Sequence, residues 1–115
     1  MSENLRGKAS VAFSLSLPGS SSGDAATLEG HTRDMRATGL SLVVPRLRIG
    51  GEEIVAADRQ LRVVLELPSG PLEMEVAPVR YEPLEAEGGY LIGVRITEIS
   101  DSDCVRFVKY LRALR

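Results

Sequence analysis

Residues Thr32 to Val44 read TRDMRATGLSLVV, and the fold turns on how they are read. Asp34 is followed two places on by Arg36 and three beyond that by Gly39, which leads into the apolar alternation Leu40, Leu42, Val44. A polar segment feeding apolar residues at period two is a turn entering a half-buried strand. Asp34 can accept hydrogen bonds from the backbone amides that follow it, and Gly39 can take a positive φ that a side chain resists. The spacing therefore predicts a corner or bulge at Asp34 within one long, bent strand. That strand enters near Leu28, resumes at Leu40 and stops at Pro45, which has no amide hydrogen to donate to a ladder.

The same period recurs on both sides of this stretch. Val11, Phe13, Leu15 and Leu17 alternate with Ala12, Ser14 and Ser16, which predicts a first strand over Ala9 to Leu17. PGSSSGD, Pro18 to Asp24, is a run of turn formers and reads as a flexible connection. Gly50-Gly51 between Leu47/Ile49 and Ile54/Val55 signals a hairpin. Leu61, Val63, Leu65 and Leu67 lead into the turn Pro68 to Pro71. Leu72, Met74 and Val76 follow, with Glu73 and Glu75 on a solvated outer face. Pro78 predicts a bulge or edge, and PLEAEGG, Pro83 to Gly89, a turn. In the strand Tyr90 to Ile99, Ile92, Val94 and Ile96 face one way, and Gly93 on the other face predicts a close approach.

At Ser100 the period changes from two to 3.6. Ser100 with Asp103 three residues on resembles a capping box, and Cys104, Phe107, Val108, Leu111 and Leu114 form an apolar stripe. Arg106, Lys109, Arg112 and Arg115 are expected largely outside it. A helix over 101–115 should pack back onto the strands, with Cys104 on its buried face. About six short antiparallel strands and one terminal helix, with no strand-helix alternation, predict a mainly β protein: a small antiparallel barrel, which leaves no exposed edges.

Composition limits the function. A chain of 115 residues suits one domain, here 9–115, preceded by a mobile basic arm over residues 1–8. A net charge of -2 speaks against a long nucleic acid as partner. The absence of a long apolar run speaks against membrane insertion and for a cytoplasmic protein. One cysteine and one histidine, Cys104 and His31, are too few for a metal site; they could meet as nucleophile and base only if the helix packs over the turn, and a buried structural cysteine is the better reading. The carboxylate pairs Glu52/Glu53 and Glu73/Glu75 sit in polar segments without an apolar pocket to raise a pKa, so no enzyme and no cofactor are expected. Arg33, Arg36, Arg46 and Arg48 gather around the opening stretch. Guanidinium groups bind phosphates and stack on purines, and a carboxylate accepts from a guanine edge, so a compact, anionic, purine-containing ligand fits.

The order of these segments resembles the PilZ domain family. The resemblance runs from the basic arm through VAFSLSL, DMRATGLSLVVP, LRVVLELPSGPLEMEV and GYLIGVRITEIS to the final helix. It implies a six-stranded barrel with a C-terminal helix, and a receiver for the bacterial second messenger cyclic di-GMP that acts through a partner protein or a fused domain. Binding members carry two arginines four residues apart before the first strand, and an Asp/Asn-x-Ser-x-x-Gly turn. Here Asp34 and Gly39 match the turn, Arg36 stands at the serine position, and Arg6 matches the first arginine with Ser10 four residues on. The resemblance thus implies Arg6, Asp34, Arg36 and Gly39 as ligand-binding residues. Loss of one charge-assisted contact costs about 1.5–3 kcal/mol, so reduced affinity is expected. The alternative is a module of the same fold that binds a protein and no longer the nucleotide.

Overall fold

The computed structural model describes residues 6–8 by their backbone, and residues 10–18, 27–56 and 59–114 in full. The strands are β1 (Arg6–Lys8), β2 (Ala12–Ser16), β3 (Leu28–Arg36), β4 (Gly39–Val44), β5 (Arg48–Ile49), β6 (Glu52–Glu53), β7 (Leu61–Leu67), β8 (Gly70–Pro83) and β9 (Tyr90–Ile99), followed by α1 (Asp101–Ala113). Six of them form a closed antiparallel barrel in the order β3-β2-β7-β8-β9-β4, with β4 returning to β3. The expected fold class, a mainly β, six-stranded antiparallel barrel with a terminal helix, is the one observed. β1 pairs with β3 beyond the barrel's own strands, and β5 with β6 form the small hairpin around Gly50-Gly51.

Period-two alternation builds the interior. Phe13 and Leu15, Leu40, Leu42 and Val44, Leu61, Val63 and Leu65, Leu72, Met74 and Val76, and Ile92 and Val94 all point inward and are buried. Each large aliphatic side chain so buried contributes about 1.5–3 kcal/mol relative to exposure. Phe107 and Leu111 bring α1 into the same core.

Three expectations are corrected. The segment Leu28 to Val44 is two strands, not one bent one: the chain reverses at Ala37-Thr38, and β3 and β4 pair as a hairpin with Arg36 opposite Gly39. The bulge is present but lies within β3, where the register shifts between Thr32 and Asp34. It changes the parity of the strand, so that Leu28 and Thr32 face inward before it and Met35 after it. The arm read as mobile over residues 1–8 forms, at Arg6–Lys8, a strand on β3. Residues 1–5 lie outside the described residues, as does most of the connection after Pro18.

The third correction concerns α1. Ser100 caps it as expected, its hydroxyl accepting from the Asp103 amide at 3.2 Å. Phe107 and Leu111 are buried and Val108 and Leu114 half-buried as expected, but the inward face also takes in the half-buried Asp103, Arg106 and Tyr110, a rotation that leaves Cys104 exposed. The rotation has a polar cause. Arg106 donates to the carbonyls of Gly70 (3.0 Å) and Pro71 (3.1 Å), to Ser69 Oγ (3.0 Å) and to the Asp103 carboxylate (2.9 Å). An arginine expected in solvent is therefore what ties the helix to the β7–β8 turn.

Candidate functional site

Strand register brings residues from five segments into two neighbouring rows. One row runs Lys8, Asp34, Ser41, Gly93, Arg80 across β1, β3, β4, β9 and β8. The next runs Arg6, Arg36, Gly39, Arg95, Ala77 across the same strands. On the barrel's outer face Asp34, Ser41, Gly93 and Arg80 of the first row and Arg36, Gly39 and Arg95 of the second line an open depression of ≈ 410 Å³. Its floor is small, Gly39, Ser41 and Gly93, while Asp34 and Arg36 line one side and Arg80 and Arg95 the other.

Two glycines keep that floor low, and neither does so through a positive φ. Gly39 adopts an ordinary strand conformation; what requires glycine there is the backbone of β9, because a Cβ would overlap the Val94 carbonyl oxygen. At Gly93, a Cβ would meet Arg80 Nε at 3.0 Å and Cγ at 3.1 Å, so the Arg80 side chain crosses the space a residue with a side chain would fill. The bulge expected at Pro78 makes this possible. The β8–β9 register shifts between Pro78 and Arg80, leaving Val79 as the extra residue, 61% exposed.

The electrostatics of the depression are unbalanced. Asp34 Oδ1 is buried and accepts no hydrogen bond from the described residues. Among the described residues, Arg36, Arg80 and Arg95 have no hydrogen-bond or ion-pair partner. Four arginines elsewhere are satisfied by the protein, Arg33 by Glu87 at 2.6 Å, Arg48 by the Gly51 carbonyl at 3.1 Å, Arg59 by Glu52 at 3.3 Å, and Arg106 as above, while Arg46, Arg62 and Arg112 are unpaired among the described residues but lie outside the depression. A buried acceptor without a donor and exposed donors without an acceptor suit a ligand carrying both groups.

Of the residues singled out from sequence, Asp34, Arg36 and Gly39 come together here, and the backbone of Arg6 stands opposite Arg36 in the β1–β3 ladder. Arg33, Arg46 and Arg48 do not line the depression. His31 is exposed on β3. Arg80, Arg95 and Ser41 were not anticipated. That Arg95 shares a strand face with Gly93 is visible in the sequence, but which strand lies beside that face is not. Among the described residues, no three of His, Cys, Asp and Glu gather as a metal site would require, and no helix is long and apolar enough to cross a membrane.

A family model described as PilZ domain matches residues 3–113. Among solved structures, the Bacillus subtilis inhibitor of motility MotI/DgrA is similar at 14% identity and a TM-score of 0.73, over 98% of this chain and 50% of that one. The Klebsiella pneumoniae MrkH–c-di-GMP complex is similar at 15% identity and a TM-score of 0.70, over 99% of this chain and 51% of the other. The PilZ domain of Escherichia coli YcgR with c-di-GMP is similar at 10% identity and a TM-score of 0.66, over 98% of this chain and 90% of that one. This chain thus spans about half the length of the first two. No match was found among curated protein sequences.

Proposed function

Because the chain belongs to the PilZ domain family, we propose that it is a receiver domain that binds cyclic di-GMP in the depression over β3, β4, β8 and β9. Affinity is reduced by the altered motif residues, and the bound domain relays the signal to a partner protein or a fused domain. Arg6, Asp34, Arg36 and Gly39 are the ligand-binding residues of this reading.

The observation that carries it is the unpaired Asp34 Oδ1 in a depression lined by unpaired guanidinium groups. A guanine edge offers the N–H donors that Asp34 lacks, and a phosphodiester offers the anion that Arg36 lacks. Gly39 keeps the surface between them free of side-chain atoms. Arg6, the cross-strand partner of Arg36, adds a second cation. That two structural neighbours, the YcgR PilZ domain and MrkH, are complexes with c-di-GMP is further support.

Titration calorimetry with cyclic di-GMP tests this. Saturable binding is expected, weakened about tenfold or more by Asp34→Ala and by Arg36→Ala. No heat at high micromolar ligand would overturn it and leave the protein-binding module as the reading to pursue.

A further inference from the structure

Resting on the cyclic di-GMP reading, we infer that Arg80 and Arg95, on the β8–β9 side of the depression, grip the ligand's phosphates. They take the place of the second arm arginine, whose position is occupied by Ser10.

The argument begins with parity along β8. Leu72, Met74 and Val76 face inward, so uninterrupted alternation would send residue 80 inward as well. The extra residue, Val79, reverses that parity and brings Arg80 onto the outer face opposite Gly93. Bulges re-aim side chains in this way at functional positions. The second element is the gap at Gly93, through which the Arg80 stem passes with Cγ 3.1 Å and Nε 3.0 Å from where a Cβ would stand. The third is Arg95, two residues along β9 from Gly93 and on the same face, opposite the equally bare Gly39. Two residues of strand span about 7 Å, so the two arginines occupy adjacent rows of one face.

Neither guanidinium has a partner among the described residues; the same holds for Arg36, Arg46, Arg62 and Arg112, but of these unpaired arginines only Arg80, Arg95 and Arg36 line the depression. Together with Arg36 they give the depression three guanidinium groups against the single carboxylate of Asp34, and an anion with two negative groups can accept from both arginines. Both arginines are exposed, so their loss should leave the core intact.

Calorimetry with cyclic di-GMP, run with thermal melts to verify folding, decides the matter. Arg80→Ala and Arg95→Ala are each expected to weaken binding about tenfold and to flatten its salt dependence. Gly93→Ala, which displaces only the flexible Arg80 stem, should fold normally and bind more weakly. If wild-type protein binds and folded Arg80→Ala and Arg95→Ala bind with wild-type affinity, this inference is overturned while the cyclic di-GMP reading stands. If wild-type protein does not bind, both are overturned.

Discussion

Arg6 and Arg36 are cross-strand partners in the pairing of β1 with β3. Like charges directly opposite one another destabilise a strand pair by roughly 0.2–1 kcal/mol, unless an anion lies between them. Stability and affinity should therefore move in opposite directions. Arg6→Ala is expected to leave the free protein as stable or slightly more so in urea denaturation, while weakening cyclic di-GMP binding in calorimetry. A loss of stability together with unchanged affinity would exclude a ligand-binding role for Arg6.

Asp34 makes a similar separation possible. Its buried Oδ1 has no donor, and such an atom costs about 1–3 kcal/mol in the unliganded fold. Asp34→Ala is expected to raise the denaturation midpoint of the free protein and to remove the stabilisation that added cyclic di-GMP confers on the wild type. A fall in midpoint would mean that the carboxylate is satisfied in solution.

Gly39→Ala should be disruptive, because the added Cβ meets the Val94 carbonyl of the neighbouring strand rather than a movable side chain. A loss of about 1–3 kcal/mol, as for overpacked sites, is expected in thermal or chemical denaturation. Gly93→Ala, whose nearest obstacle is the Arg80 side chain, provides the comparison within the same floor.

Arg106 joins α1 to the β7–β8 turn through three acceptors, Ser69, Gly70 and Pro71, with 31% of its side chain exposed. That exposure limits the effect of losing it, so Arg106→Ala is expected to cost about 1–2 kcal/mol in chemical denaturation. Because Arg106 does not line the depression, ligand affinity measured by calorimetry should be unchanged.

Much of the barrel was legible because local patterns and tertiary environment agree. Alternation at Phe13 and Leu15, at Leu61 to Leu67 and at Leu72 to Val76 matches the burial observed, as do the Ser100 cap and the Gly50-Gly51 hairpin. The reversal at Ala37-Thr38 was not legible, since neither residue belongs to the glycine and asparagine set that marks two-residue hairpins. β1 could not be seen either: three residues, RGK, carry no apolar period, and their place in the sheet is set by backbone pairing with β3. Within the site, Asp34, Arg36 and Gly39 were accessible through their spacing. Arg80 required two nonlocal facts, the bulge at Val79 and the register of β8 on β9, and Arg106 was misplaced because its acceptors on the β7–β8 turn lie 35 or more residues away in the chain.

The depression lies over four consecutive staves of a closed barrel, and β4 is one of the inner two, bonded to β3 on one side and β9 on the other. Anything that reaches from Asp34 and Arg36 to Arg80 and Arg95 spans that stave like a hoop. Its occupancy would then be felt as slower breathing of the backbone beneath it, so amide hydrogens along Gly39–Val44 would exchange more slowly, including those of residues 42–44, which do not line the depression.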